Sequence, residues 1–198
     1  MNWTPFMMLS KIFEGRISEV IATTESRDGR VNAAPLGIIK ENGYYVKIFK
    51  SKTLENVRQM GRLAANITDD PILFVMTALG NLEPRHFSRF RGFPVLRAAN
   101  AWILFECSVS SEMPEFSEFK LKPVALKIRK RGVRAVNRGR NAVIEAAVHA
   151  TRYVLAEGAE REELKKLIDY YNKIVEKCGG AAEREAMRLL YTRIAPVW

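Results

Sequence analysis

Three β-rich runs joined by two tight-turn signals occupy Glu19 to Phe49, and this alternation commits the start of the chain to an antiparallel meander. The first run is Glu19–Thr24, and Arg27-Asp28-Gly29 supplies the turn chemistry after it. The second is Val31–Ile39, in which Pro35 has no N–H to give a ladder, so that strand is expected at an edge or bulged there. Asn42-Gly43 is a strong turn signal, and Tyr44–Phe49 is the third run.

The meander leads into a helix start. Ser51, Lys52 and Thr53 precede Leu54, Val57 and Met60 at helical spacing, with Gly61 as the stop. Leu63–Ile67 reads as a strand, and Asp69-Asp70-Pro71 opens a helix over Ile72–Leu79 that ends at Gly80. Residues 81–94 have weak periodicity and read as an exposed segment. Trp102–Ser110 is the best later strand, and Val124–Ile128 is a weaker one. The pattern then turns helical: Asn141–Leu155, Glu160–Lys177 with Leu164, Leu167, Ile168, Tyr171, Ile174 and Val175 on one face, and Ala181–Ile194 after Gly179-Gly180. The expected organisation is a domain over residues 1–136 and a helical extension of about three helices over 137–198, packing on it.

A chain of 198 residues with 47% hydrophobic and 27% charged residues can bury its own core without a metal or disulfides. Its apolar runs fall short of the roughly 18 residues a bilayer span needs, so no membrane partner is expected. The apolar start, Met1 to Leu9, lacks a basic flank and a small-residue cleavage site and is not read as a signal peptide. Cys107 and Cys178 are far apart and fit a reducing, cytoplasmic setting; Cys107, in a hydrophobic strand, reads as a buried small hydrophobe. Together with His86 and His149 they form no metal-ligand pattern, so no metal is expected. His86, beside Arg85 and Arg89, reads as a surface histidine, and Trp102 as core or dimer interface.

The net charge of +10 predicts attraction to anions without choosing among them. Nine basic residues lie between Lys120 and Arg140, and no acid occurs from Phe119 to Ile144. Such a block suits nucleic acid, an anionic substrate or a solvated face. The aromatic interleaving of a single-strand binder is missing from it, which weighs against nucleic acid.

Two segments offer specific chemistry. Lys50, Ser51, Lys52 and Thr53 join a strand to a helix N-terminus, where open N–H groups and the helix dipole favour phosphate. A Ser/Thr cap flanked by solvated lysines explains the same residues. Asn32, Ala33, Ala34, Pro35 and Leu36 place small side chains on a strand, which lets a flat ring approach the backbone; a bulged strand packed on a neighbour explains them equally well.

The ordered elements EVIATT, NAAPLG, YYVKIFKSKTLENV and LAANITDDP resemble the FMN-binding split-barrel superfamily of flavin reductases and pyridoxine-phosphate oxidase relatives. Within it, Val136-Asn137-Arg138-Gly139 and the run Ala142–Arg152 resemble a mostly archaeal family with a C-terminal helical extension and no settled reaction. The resemblance implies an α+β, mainly β fold: a split β-barrel of about six strands with short helices, then a helical subdomain. It implies FMN as cofactor and a homodimer that binds flavin between its subunits. Lys50, Ser51, Lys52 and Thr53 match the phosphate segment, with Asn56 one turn on at the phosphate or ribityl chain. Asn32, Ala33, Ala34, Pro35 and Leu36 match the strand under the isoalloxazine, and Asn66, Thr68 and Asp69 a strand end near the flavin, across the dimer in some relatives. No counterpart of the paired Arg/His substrate motif of pyridoxine-phosphate oxidases occurs near the C-terminus, which argues against that substrate.

Glu145, His149 and Arg152 follow at i, i+4 and i+7, on one helical face behind Asn137 and Arg138. They are the candidate catalytic or substrate-binding residues; an exposed Glu–His–Arg ladder is the other account. The leading expectation is a flavin-dependent oxidoreductase acting on a small molecule, with reduced nicotinamide or deazaflavin as electron donor. No glycine-rich dinucleotide fingerprint is present, so a nicotinamide would dock transiently. A flavin carrier or sensor without turnover is the alternative, and nucleic-acid binding through Lys120–Arg140 a third.

Overall fold

The computed structural model describes residues 5–130 and 132–195. They fall into two compact units: residues up to 13 with 19–136, and 14–18 with those from 137 onward. The strands are β1 (Ile17–Glu25), β2 (Val31–Lys40), β3 (Tyr44–Phe49), β4 (Arg62–Ile67), β5 (Phe87–Phe90), β6 (Phe93–Leu96), β7 (Ala101–Glu112) and β8 (Phe116–Ile128). The helices are α1 (Pro5–Ile12), α2 (Lys52–Met60), α3 (Pro71–Leu79), α4 (Arg138–Tyr153), α5 (Gly158–Cys178) and α6 (Ala181–Ile194).

Six strands close into a barrel in the order β1-β2-β3-β8-β7-β4, so the expected mainly β barrel with a helical extension is the fold. Period-2 alternation sorts the side chains. Leu63, Ala65 and Ile67 of β4 point inward with Ile103 and Phe105 of β7, Phe119 and Leu121 of β8, and Val46 and Ile48 of β3. Ala64, Trp102 and Leu104 point outward, beneath Leu73, Leu82, Val95 and Leu96. Both faces of β4 and of β7 over residues 101–105 are therefore covered, which is why those stretches run apolar instead of alternating.

The registers define two barrel ends. Lys40 pairs with Tyr44, and Ala101 pairs with both Ile67 and Ile128, at one end. There α1 puts Leu9, Ile12 and Phe13 into the core, and Lys40 Nζ donates to the Phe13 carbonyl at 2.9 Å. β3 reaches the opposite end at Phe49, paired with Phe116, and β4 leaves it at Arg62. Between them α2 buries Leu54 and Val57. Its caps are those the sequence specifies: Ser51 Oγ accepts from the Leu54 amide at 3.3 Å, and Gly61 takes the left-handed φ of 61° that favours glycine.

Several expectations need correction. Pro35 is not in an edge strand, because the barrel is closed; the β2–β3 register covers Ile38–Lys40 and leaves Pro35 outside it. Residues 81–94 are largely exposed or half-buried, as expected, but they are ordered where weak periodicity showed no element: Leu82 is buried, and β5 and β6 form a hairpin whose turn residues Arg91 and Gly92 have φ of 48° and 79°. Two left-handed residues are the signature of a tight hairpin turn, hidden here because Arg stands where Asn or Asp is usual. The last barrel strand begins at Phe116, well before Val124. Its lysines face solvent while Ser117, Phe119 and Leu121 are buried on alternate positions. The strand also holds more of the basic block than expected, and the block divides between the two units.

The second unit holds α4, α5 and α6 around Ala146, Tyr153, Leu164, Ile168, Val175 and Met187. α4 starts three residues before the expected Asn141 and ends at Tyr153 rather than Leu155. The Asn137 side chain sets that start, with Oδ1 accepting from the Arg140 amide at 2.9 Å and Nδ2 donating to the Cys178 carbonyl at 3.1 Å. Gly139 must be glycine, since a Cβ there would lie 2.5 Å from the Gly179 backbone. Among the described residues no helix is long and apolar enough to cross a membrane.

Candidate functional site

A hydrogen bond joins β2 to the start of α2: Asn32 Nδ2 donates to Thr53 Oγ1 at 2.9 Å. Thr53 is buried, whereas Lys50, Ser51 and Lys52 are exposed. Ser51 Oγ also donates to the Phe49 carbonyl at 2.9 Å, and the Lys50 amide to the Glu115 carbonyl at 3.2 Å. The amides of Lys52 and Thr53 precede the first intrahelical donor, the Glu55 amide, and neither has a protein acceptor among the described hydrogen bonds. Two open N–H groups, two hydroxyls and two lysines thus meet at the positive end of α2. Lys52 Nζ lies 2.9 Å from Glu55, an exposed pair that holds it weakly. The set suits a phosphate dianion, which needs donors and positive charge in a solvent-accessible place.

The rest of the expected site divides into open and committed groups. Ala33 is buried in the outer core, and its amide donates to Asn81 Oδ1 at 3.2 Å. Asn81 Nδ2 donates in turn to the Val31 carbonyl at 3.0 Å, so this asparagine clamps β2. Asn32, Ala34, Pro35 and Leu36 are half-buried and form the accessible part of the strand. Asn56 is fully buried one turn into α2, with Nδ2 donating to Thr24 Oγ1 at 3.1 Å and Oδ1 unpartnered.

Asn66 is a structural staple within the chain. Its Nδ2 donates to the Ile21 carbonyl at 2.8 Å and Thr23 Oγ1 at 3.0 Å, and Oδ1 accepts from the Leu96 amide at 2.7 Å. Thr68 is buried and accepts from the Asp70 amide at 3.2 Å; exposed Asp69 accepts from Asn100 Nδ2 at 3.0 Å. Thr68 and Asp69 follow the Ala101 end of the barrel, opposite α2.

In the helical unit, Glu145 and Arg152 are exposed, and Arg152 pairs with Glu160 at 3.3 Å. His149 is half-buried; its ring stacks on Tyr171 at 5.7 Å and 15°, with Nδ1 buried and unpartnered. His86, at the end of a single 3-10 turn, is half-buried. Trp102 is core, with Nε1 donating to the Leu96 carbonyl at 2.8 Å. Cys107 is half-buried, and burial pushes its thiol up to about 12, which rules it out as a thiolate nucleophile near neutral pH.

Two groups were missed in the sequence. Asn81 is one; its only signal is a polar residue just after a helix-ending glycine. The other is Glu25, which is buried and bridges Arg62 and Arg89, the latter at 2.7 Å. Burial pushes its carboxyl up, but hydrogen bonds from Arg89 and Arg62 outweigh that and hold it below the usual range.

Comparison with known proteins identifies the family. The N-terminal domain of the family described as protein of unknown function DUF447 matches residues 18–130, and a second model of that family matches residues 137–192. An FMN-bound protein of this family from Methanosarcina mazei is 39% identical, over 93% of this chain and 98% of its own, with a TM-score of 0.59. The styrene monooxygenase flavin reductase of Pseudomonas putida is 16% identical over 67% of this chain and 91% of its own, with a TM-score of 0.50. A 2-nitrobenzoate 2-nitroreductase from Pseudomonas fluorescens is also 16% identical, over 64% and 73%, with a TM-score of 0.50. The last two share the fold alone. Both parts of the family pattern match in order, and the archaeal member aligns over nearly the whole length; the chain belongs to the DUF447 family.

Proposed function

We propose that this protein binds FMN, with the phosphate at Lys50–Thr53 and the isoalloxazine against Asn32–Leu36, and uses it as an oxidoreductase toward a small molecule. The observation that carries the placement is the Asn32–Thr53 hydrogen bond, which fixes the small-residue strand beside the open amides of α2. The FMN-bound family member, alike over 93% of this chain, supports the choice of cofactor. Bound there, FMN supplies hydride chemistry; this chain's residues bind and orient it. The Thr53 hydroxyl and the amides of Lys52 and Thr53 would donate to phosphate oxygens, and Ser51 would join them by turning its hydroxyl from the Phe49 carbonyl. Lys50 and Lys52 add positive charge, and the short side chains of Ala34 and Pro35 leave room for a flat ring.

The purified protein is expected to be yellow and to release FMN on denaturation. A colourless protein that takes up no added FMN overturns the reading. Anaerobic bleaching by NADH, NADPH or reduced deazaflavin identifies the electron donor; failure of all three leaves a carrier or sensor. His149→Ala tests the helical face: unchanged rates of reduction and reoxidation would remove Glu145, His149 and Arg152 from the chemistry.

A further inference from the structure

The flavin reading leaves unused both the far end of the barrel and the basic run Lys127–Arg134. These coincide. A cavity of about 360 Å³ lies at the α1 end, lined by Met8, Lys11, Ile12, Ile128, Lys130 and Val133, with Gly132 completing the wall. Its volume falls in the range of small-molecule sites, about 300–1,000 Å³. Four of the named side chains are apolar and two are lysines; among the described residues no acid lines it. The exposed Lys127 and Arg129 lie just before it on and after β8. Lys127 Nζ and the Arg129 guanidinium stand 5.5 and 4.8 Å over the Trp102 ring in the outer core, on the other face of the sheet from Ile128, so the charge lining the cavity itself is that of Lys11 and Lys130. The cavity is separate from the phosphate site: Ile128 sits at the Ala101 end of the ladder, and α2 begins beyond Phe49 at the other end.

We propose that this cavity binds a small amphipathic anion, a carboxylate with a hydrocarbon body. The body lies against Met8, Ile12, Ile128 and Val133, and the carboxylate meets Lys130, with Lys11 adding positive charge beside it. An apolar wall gains with each methylene it covers, and the lysines select the sign of the head group.

The test uses the full-length protein with FMN added and titrates decanoate, octanoate and decyltrimethylammonium by calorimetry. Decanoate is expected to bind, octanoate about tenfold or more weakly from two methylenes at roughly fourfold each, and the cation not measurably. Ile128→Trp, which fills the cavity from a part-exposed position, is expected to abolish decanoate binding while leaving the flavin spectrum and FMN affinity unchanged. Lys130→Glu is expected to weaken it at least tenfold, and reads out independently should the tryptophan variant misfold. No decanoate binding, equal binding of the cation, or binding indifferent to both substitutions overturns the proposal. So does co-sedimentation with phosphatidylglycerol vesicles without decanoate binding, since the same chemistry would then serve a membrane surface. Because FMN affinity is measured alongside, failure here is distinguishable from failure of the flavin assignment.

Discussion

At the scale of single residues, the site is divided between side chains that hold the fold and side chains left for a ligand, and substitution separates them. Asn66 belongs to the first group. Removing its side chain leaves the Leu96 amide and the Ile21 carbonyl buried without their partner. Asn66→Ala is therefore expected to cost about 2–4 kcal/mol in urea unfolding, with FMN affinity of the folded fraction little changed. A large affinity loss at unchanged stability would instead make Asn66 a ligand contact. Lys52 belongs to the second group, since its pair with Glu55 is exposed. Lys52→Ala is expected to leave stability within about 0.5 kcal/mol and to weaken FMN roughly tenfold, read by flavin fluorescence quenching. Thr53 serves both ends. Thr53→Val should lose about 1 kcal/mol and also FMN affinity, because the Asn32 amide loses its acceptor and the phosphate a donor.

At the scale of elements, most of the barrel was legible, and the exceptions share one physical origin. The runs 19–24, 31–39, 44–49 and 63–67 announce themselves by β-branched residues and turn chemistry, and α2 by its serine cap and left-handed glycine. The β5–β6 hairpin and the start of β8 do not, because their strand character comes from what they pack on: Val95 and Leu96 on the outer core, Phe119 and Leu121 in the inner one. Local pattern shows the turn proposed for phosphate for the same reason that it shows a helix cap. It could not show Asn81 gripping β2, a contact across 48 residues. Nor could it show Glu25, which ties the end of β1 to Arg62 of β4 and Arg89 of β5 across 37 and 64 residues. That tie has a pH signature. The folded carboxyl titrates below its unfolded value of about 4.3, so its stabilisation is complete above that value and is lost as pH falls through the folded one. Glu25→Gln is expected to be less stable than the parent at pH 7, with the gap closing below about pH 4. A gap that stays constant from pH 7 to pH 3 in urea titrations would show that the two arginines do not stabilise the carboxylate.

At the scale of the whole molecule, the remaining question is what covers the flavin. Within one chain, the accessible part of β2 is Asn32, Ala34, Pro35 and Leu36, half-buried residues of a closed barrel that lie outside the Ile38–Lys40 register with β3. A flavin ring laid on that strand would have protein on one face and water on the other. Hydride chemistry needs the second face shielded, since water exclusion protects reactive intermediates and strengthens the electrostatics of the site. The chain must therefore either close over its own ring or borrow a wall from a second copy. α3 supplies a surface for the second route: it packs beside β2, has no charged residue, and exposes Ile72, Met76 and Leu79. A twofold contact would pair such a surface with its own copy, the self-complementary arrangement typical of homodimers. The expected result is a dimer of the 22.5 kDa chain by light scattering, carrying one FMN per chain. Met76→Glu and Leu79→Glu together should shift it toward monomer and weaken FMN in parallel, because each ring would lose its outer wall. If the substituted protein becomes monomeric and keeps its flavin at parental affinity, the shared-wall site is wrong and each chain closes over its own cofactor.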